Sequence, residues 1–499
     1  MPARKRRAGK RVATQASKAA AGASKPTVST WEDDPGDPHL QPPLVPISVA
    51  VPNQAAQPLP FRISGPTPPP KIYQPGTANF RFYAAASALR RTADFWGSIV
   101  PQGTRWEVGA RLPVVLDDGV DLNAFYTRGG FGEAPGLHFF HQSVAGRTFF
   151  SGESPDVACH EMGHAVLDAV RPQLFDAQTI EAAAFHESFG DMSAILSALQ
   201  VPSFRQAVFN ATQGTLNRAS RLSRLAEQLG AAIGVDHPDA VDRDCLRNAV
   251  NSFFYRDPQT LPPSAPASQL SSEPHSFSRV FTGAFLDALA GIFKLQGNPS
   301  TVNDLAKATQ DAGRILSAGV LAAPVVPDYY SQVAAHMVSS GEGAPFNGKY
   351  RDVLKAAFVR RGILSLQAAV TITSVKAESP RKASVVTRGR EARELPKATI
   401  SGAQYGLNVA ALKVHTAEEP KRFAVTSSSL TLGPVEPRSP QNAAESYTED
   451  LFQRGRVDVG SYAHPDRGLV HPLSIKTHVI VEENGDLVLK RKTFECGFD

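Results

Sequence analysis

A short histidine-containing segment, SPDVACHEMGHAVLDAV at residues 154–170, constrains this chain more than any other part of its sequence. Residues 155–170 predict a helix, which must end before Pro172 because proline lacks the N–H that would continue the hydrogen-bond ladder. His160 and His164 lie four residues apart, so both side chains project from the same face of that helix. Two imidazoles in this arrangement can bind one zinc ion at about 2.0–2.1 Å. The segment therefore predicts a zinc site.

Glu161 follows the first histidine and is the candidate general base. A rotation of about 100° per residue places it beside the metal rather than on it. There its carboxylate can hold and deprotonate a water that the metal activates. The competing interpretation is an ordinary helix with two partly buried histidines, and a third protein ligand is needed to distinguish the two.

A second predicted helix, AQTIEAAAFHESFGDMSAILSALQ, supplies that ligand. Position 170 is Val170 rather than histidine, which excludes the His-Glu-x-x-His-x-x-Gly-x-x-His class. Glu187 would complete a site of two histidines and one glutamate and leave the fourth position to water. Asp191, one turn later, could accept the second N–H of a liganding histidine and fix its tautomer. Glu181 is the alternative ligand, but it has no acidic partner four residues on.

These motifs and their order resemble the thermolysin-like (gluzincin) zinc metallopeptidase family over roughly residues 80–365. The edge strand that holds substrate in that family resembles Asn123-Ala124-Phe125-Tyr126. The family's Leu-Arg pair, which shapes the pocket after the scissile bond, resembles Leu246-Arg247, and a Tyr-x-Asp-Pro run follows it at 255–258. The histidine that donates to the oxyanion resembles His275.

The resemblance implies zinc-dependent hydrolysis of internal peptide bonds by a metal-bound water. Glu161 would act as the general base, and His275 and Arg247 would stabilise the oxyanion, for which one donor contributes about 2.7–4 kcal/mol. Asn123 and Ala124 would bind the substrate as an added strand. One catalytic zinc ion is the expected cofactor, and a peptide or protein is the expected substrate.

Two departures from the family pattern bear on activity and on calcium. Phe175 aligns with a tyrosine that donates its hydroxyl in the family. Asp156 matches a calcium ligand of the family, but the acidic partners that should follow Asp191 are missing. Calcium binding therefore has little support, and Asp156 is expected to cap its helix.

The alternative functions are a catalytically impaired zinc- or peptide-binding relative, or a non-endopeptidase gluzincin such as an aminopeptidase. The sequence contains no Gly-x-Met-Glu-Asn amine-anchoring motif.

The expected fold is α+β, with a β-rich N-terminal lobe, a mainly helical C-terminal lobe, the zinc helix between them and a β-rich C-terminal extension. Near the C-terminus, Asn484-Gly485 between two alternating runs predicts a hairpin. The expected division of the chain is a basic, then proline-rich and largely disordered leader at 1–76, the β-rich lobe with both metal-binding helices at 77–200, the helical lobe at 201–370, a charged linker at 371–397, and a β-rich region of unknown role at 398–499.

Composition and charge limit which partners and which cellular location can be expected. The net charge of +5 is modest for 499 residues, and the basic run that opens the chain lacks interleaved aromatic residues, so a nucleic-acid contact is not expected. Cys159, Cys245 and Cys496 form no disulfide framework and are expected to be reduced. Neither a membrane span nor a cleavable signal is recognisable. A cytoplasmic location is therefore expected, with non-classical export as the alternative, and the oligomeric state is left open.

Overall fold

The structure, a computed structural model, describes residues 26–36, 44–366, 394–420, 438–463 and 475–497. Across these ranges the chain is mixed α+β, with eleven α-helices and five small β-sheets, which confirms the predicted fold class at that level. The basic run at the N-terminus and most of the predicted linker lie outside the described residues.

One five-stranded sheet combines strands from distant parts of the chain. Strands β3 (Phe61–Ile63), β4 (Leu112–Val115) and β6 (Gly136–Phe139) are parallel neighbours, and β5 (Ala124–Thr127) pairs antiparallel with β6. Strand β16 (Thr493–Glu495), from the C-terminal end, pairs antiparallel with β5 along its other side. The edge of β5 that the sequence assigns to a substrate is therefore occupied by the chain itself.

Helices dominate the middle of the chain, after α1 (Ala78–Gly97). Helices α2 (Pro155–Val170) and α4 (Ile180–Ala198) are the two predicted to bind metal, and both are almost wholly buried. Helix α7 (Pro274–Lys294) packs against α4. The other helices are α3 (Gln173–Asp176), α5 (Pro202–Thr212), α6 (Glu227–Asp236), α8 (Val302–Ala322), α9 (Tyr329–Glu342), α10 (Arg351–Arg360) and α11 (Pro440–Gln453).

The start of α2 differs from the prediction in its cap. The hydroxyl of Ser154 accepts the N–H of Val157 and so caps the helix, which makes the predicted capping role of Asp156 wrong. Asp156 lies inside the first turn, and its Oδ2 accepts the N–H of Ala226 at 3.1 Å. This carboxylate therefore ties α2 to the segment before α6.

The segment predicted as a largely disordered leader carries regular structure over its described part. Strand β1 (Thr27–Thr30) pairs with β2 (Ile47–Ala50), and β3 joins the main sheet. Trp31 is 7% exposed, packs edge-on against Phe80 of α1, and donates its indole N–H to Glu153 at 3.2 Å. The structure differs from the prediction because Trp31 is buried against α1, and a proline-rich composition does not reveal that packing partner.

The C-terminal region forms a second five-stranded sheet, in the order β11-β12-β15-β14-β13. Strands β14 (His478–Glu483) and β15 (Asp486–Arg491) confirm the hairpin predicted at Asn484-Gly485, where both residues have the positive φ that such a turn needs. The remaining strands are β11 (Lys397–Ser401), β12 (Ala411–His415), β13 (Val457–Asp458), the β7–β8 pair (His141–Val144 and Arg147–Phe150) and the β9–β10 pair (Arg224–Leu225 and Arg247–Asn248).

This C-terminal region is docked against the helices rather than standing apart. Arg438 Nη2 lies 3.0 Å from Glu181 Oε1 and 2.9 Å from Asp328 Oδ1. Arg491 donates from Nε to the backbone oxygen of Phe175 at 3.1 Å. These contacts connect the C-terminal region to α3, to α4 and to the start of α9.

Helix α7 is, among the described residues, the one helix long and apolar enough to cross a membrane by length and composition. Its most apolar window is 83% buried inside the structure, which is the pattern of a core helix. Taken alone, it is weak evidence for a membrane span.

Candidate metal centre

His160, His164 and Glu187 converge where α2 crosses α4. His160 Nε2 lies 3.3 Å from Glu187 Oε2, and His164 Nε2 lies 3.6 Å from Glu187 Oε1. The ligand atoms of His160, Glu161 and His164 also lie within 4.8 Å of one another. All four residues are at most 3% exposed. The structure thus brings together, in one buried place, the residues that the sequence selects from two helices.

Two glycines allow this crossing. A Cβ added at Gly163 of α2 would lie 2.9 Å from the Cα of Gly190 on α4. A Cβ added at Gly190 would lie 2.6 Å from the His160 ring. Because real Cβ atoms do not come this close to other heavy atoms, only glycine lets the helices approach so far. Their contact sets the distance between the imidazoles and Glu187.

Several polar atoms of the centre have no hydrogen-bond partner among the described residues. They are Nε2 of His160, Nε2 of His164, Oε2 of Glu187 and both carboxylate oxygens of Glu161. Oε2 of Glu187 forms ion-pair contacts with Nε2 of His275 at 3.2 Å and of His160 at 3.3 Å, but neither has the geometry of a hydrogen bond. A buried polar group without a partner costs about 1–3 kcal/mol. A divalent cation between the two Nε2 atoms and Glu187 would satisfy the first three, and these residues therefore fit a metal. Glu161 would remain beside the ion with its oxygens free.

The Nδ1 atoms of the two histidines also have close polar neighbours. His160 Nδ1 lies 3.0 Å from Asp191 Oδ1, which also accepts Arg247 Nη2 at 2.9 Å. Burial would raise the pKa of Asp191, but Arg247 and the bond to His160 lower it to about 2. Asp191 therefore stays ionised and can keep the His160 proton on Nδ1, with Nε2 free for a metal. His164 Nδ1 faces His186 Nδ1 at 3.4 Å, a contact that the sequence did not predict.

Asp191→Asn tests this arrangement. We expect zinc affinity to fall about 10–100-fold, because a neutral amide holds the Nδ1 proton less firmly than a carboxylate. Competition with a chromogenic chelator measures the affinity. Asp168→Asn is the matched control, since Asp168 is also a buried aspartate bound by an arginine, Arg128 at 2.6 Å, but it does not contact either histidine in the described contacts. Equal affinities for Asp191→Asn and the wild type would contradict the role.

Burial also shapes the protonation of the two proposed catalytic groups. Burial raises the pKa of Glu161 to about 8, although the charge of His160 opposes the shift. The charge of a divalent cation at the centre would favour the ionised carboxylate that a general base requires. Burial would lower the pKa of His275, but Glu187 and Glu273 raise it well above its usual value. Protonated His275 can therefore donate from both nitrogens.

His275 reaches the centre from the first turn of α7. Its Nε2 lies 3.2 Å from Glu187 Oε2 and donates to the backbone oxygen of Glu495 at 2.6 Å. Its Nδ1 lies 2.8 Å from Glu273 Oε1, the residue that caps α7. A carbonyl oxygen already occupies the position that the sequence assigns to a substrate oxyanion.

The predicted substrate-binding residues surround the same centre. The backbone oxygen of Ala124 accepts the N–H of Cys496 at 2.8 Å, and Asn123 Nδ2 lies 3.5 Å from Glu495 Oε2. Leu246 and Arg247 line an adjacent cavity of about 300 Å³. Arg247 was expected to contact a substrate carbonyl, whereas in this structure its guanidinium binds the carboxylate of Asp191.

Aromatic rings close the other side of the centre. The ring of Phe494 stacks on His186 at 3.9 Å and on His164 at 5.1 Å between centroids. Phe175 packs edge-on against Phe494 at 5.5 Å, so the residue that stands in place of the family's tyrosine contributes only apolar surface. No feature of the sequence indicates a role for Phe494, which belongs to an ordinary strand pattern far from the metal motif.

A buried acidic cluster near the start of α2 is separate from this centre. Burial, together with the charges of Asp33 and Asp34, raises the pKa of Asp156 well above its usual value. Asp33 is paired with Arg221 at 2.9 Å. Among the described residues, this acidic cluster does not form a group of ligand atoms within 4.8 Å of one another, whereas His160, Glu161 and His164 of the metal centre do. Calcium binding stays a prediction.

Comparison with known proteins adds no family assignment, because no protein-family model matches the chain and no curated protein matches it significantly. The function of the centre is therefore inferred from its own side chains.

Proposed function

We propose that this chain is a zinc-dependent endopeptidase of the thermolysin-like type. The observation that supports this most directly is the convergence of His160, His164 and Glu187, with three unpartnered ligand atoms, beside the free carboxylate of Glu161. Two histidines and one glutamate form the ligand set of catalytic zinc peptidase sites, which leave a fourth position open. The location of α2 between a strand-rich and a helix-rich part of the chain agrees with the resemblance.

The residues have distinct roles in this proposal. Zinc at the centre would supply Lewis-acid chemistry, which acidifies water and polarises a carbonyl. Glu161 would take the proton of the attacking water and deliver it to the leaving amine. His275 would donate from Nε2 to the substrate oxygen, in the position now held by the backbone oxygen of Glu495.

Substrate would bind mainly through its backbone. An extended peptide added to β5 would donate an N–H to the oxygen of Ala124, and Asn123 would fix its direction. The cavity beside Leu246 and Arg247 would accept a side chain beyond the scissile bond. Recognition of this kind is only weakly sequence-selective, so unfolded proteins and peptides are the expected substrates.

Metal analysis combined with peptide mapping tests the proposal. The full chain is stripped with a chelator, reloaded with zinc, and incubated with casein and a peptide mixture whose products are identified by mass spectrometry. We expect one zinc per chain and cleavage at internal bonds that is lost with the metal and restored by zinc. Hydrolysis is also measured in Cys496→Ala, which removes a buried side chain beside the centre and leaves His160, His164 and Glu187 unchanged.

Glu187→Gln and Glu181→Gln form a matched pair for the third ligand. Both replace a buried glutamate of α4, but Glu181 binds Arg438 and the N–H of Tyr330 instead of the centre. Glu187→Gln should lose zinc and hydrolysis together, while Glu181→Gln should keep both. If Glu181→Gln loses zinc and Glu187→Gln keeps it, the third ligand is Glu181 rather than Glu187.

A second candidate is a zinc- or peptide-binding protein without hydrolysis. The enclosed centre and the missing hydroxyl at Phe175 favour it. Stoichiometric zinc with no cleavage by any variant would establish this alternative, and release of single N-terminal residues would indicate an aminopeptidase.

A further inference from the structure

Strand β16 lies along the edge that the proposed function assigns to substrate. Residues Thr493–Glu495 pair antiparallel with Phe125–Thr127, and the N–H of Cys496 donates to the oxygen of Ala124 at 2.8 Å. A peptide that binds by strand addition uses the same backbone groups. The C-terminal end of the chain and a substrate therefore cannot occupy this edge together.

The residues around Cys496 are fixed on both sides. The backbone oxygen of Glu495 accepts from His275, and its carboxylate lies 2.6 Å from Arg456 Nη1. Gly497 lies directly against Asn123, because an added Cβ there would be 2.7 Å from Asn123 Oδ1. The segment thus makes the contacts expected of a substrate backbone and is held there by a buried ion pair.

The thiol of Cys496 is buried beside the metal centre. It is 1% exposed, and its Sγ lies 4.0 Å from Arg247 Nη2. Burial raises the pKa of the Cys496 thiol, while the charges of His160 and Arg247 oppose that rise. Thiolates bind zinc at about 2.3 Å and are stabilised further by the metal itself. Cys496 interacts electrostatically with His160, so a soft ligand lies beside the centre. Its Sγ is not one of the described ligand atoms that lie within 4.8 Å of one another, so binding to the metal requires the thiol to move closer to Nε2 of His160.

We propose that residues 493–497 are a built-in inhibitor of the centre, in which β16 fills the substrate edge and the Cys496 thiolate takes the fourth position of the metal. This inference rests on the proposed function and assigns a regulation to the same site. Release of the segment would open the metal to water and β5 to substrate.

Tethering makes such an inhibitor effective. A segment attached to the same chain acts at an effective concentration of about millimolar, far above a peptide substrate at micromolar concentration. The Phe494 ring adds to this by stacking on His186 and His164. The full chain is therefore expected to be latent while the segment is seated.

Cobalt substitution tests the thiolate without relying on hydrolysis. The full chain loaded with Co²⁺ should show a near-ultraviolet thiolate-to-cobalt charge-transfer band. Cys496→Ala should lose the band, while Cys245→Ala, which removes another buried free cysteine, should keep it. Absence of the band in the wild type would overturn the proposed ligation. If Cys496→Ala loses its structure, Cys496→Ser repeats the test with a side chain of similar size.

Rates of peptide hydrolysis test the inhibition. With zinc bound, Cys496→Ala and Phe494→Ala should each cleave a quenched peptide about 100-fold faster than the wild type, the lower end of the advantage that tethering provides. Cys245→Ala should cleave at the wild-type rate. Intact mass is recorded before and after each assay to establish that the C-terminal residues are still attached.

The possible failures can be told apart. Equal rates for the wild type and Cys496→Ala would overturn the inhibitor and leave the peptidase assignment in place. Loss of the residues after Glu495 from the wild type, but not from Glu161→Gln, would make the segment a substrate and likewise overturn it. If no variant cleaves peptide although the cobalt band is present, the proposed hydrolysis fails while the ligation by Cys496 is supported.

Discussion

Glu161→Gln is expected to lower kcat/KM for peptide hydrolysis by about 10²–10⁴-fold while zinc stays bound. Glutamine has nearly the same size as glutamate but cannot accept a proton at neutral pH. Both oxygens of Glu161 are buried without a hydrogen-bond partner in the described residues, so the amide replaces no structural contact. The loss should therefore fall on catalysis rather than on folding or metal binding.

This effect is measured in the Cys496→Ala background, where the fourth position is free, with zinc content determined on the same samples. Glu153→Gln serves as the control, because Glu153 is another buried glutamate whose described hydrogen bonds, from the indole of Trp31 and the N–H of Gly76, do not involve the metal ligands. An unchanged rate in Glu161→Gln would refute the general-base role. Loss of zinc along with activity would make Glu161 a ligand instead.

The part of the centre that could be predicted from sequence is the part fixed by helix geometry. His160 and His164 share a helical face because they are four residues apart, and the same spacing relates Glu187 to Asp191. The hairpin at Asn484-Gly485 was equally local, since its turn depends on two adjacent residues. Each of these relations is determined within a few residues of chain.

What could not be predicted depends on contacts between distant segments. The pairing of β16 with β5 joins two segments that lie far apart in the sequence, and strand patterns do not specify a partner. From sequence, Cys496 is only one of three cysteines expected to be reduced, because its importance depends on its position beside Arg247. The ordered part of the leader was missed for the same reason, since Trp31 is buried by α1 and not by its own neighbours.

Gly190→Ala is expected to disturb the centre about as strongly as removal of a ligand. Its added Cβ would lie 2.6 Å from both Cε1 and Nδ1 of His160 and 2.7 Å from Nε2. The ring cannot yield without giving up its contact with Asp191 at 3.0 Å. Overpacking of this kind costs about 1–3 kcal/mol of stability. A displaced His160 should also weaken zinc binding by more than the roughly 10–100-fold that accompanies loss of an outer contact.

Thermal unfolding with and without zinc, together with chelator competition, measures both effects. Gly234→Ala of α6 is the control, because its added Cβ meets only Val241 Cγ2, at 3.2 Å, and alanine favours a helix over glycine by about 1 kcal/mol. We expect Gly234→Ala to keep its zinc affinity and its stability. If Gly190→Ala binds zinc as the wild type does, the ring of His160 can move freely, and the close crossing of α2 and α4 does not determine the geometry of the metal centre.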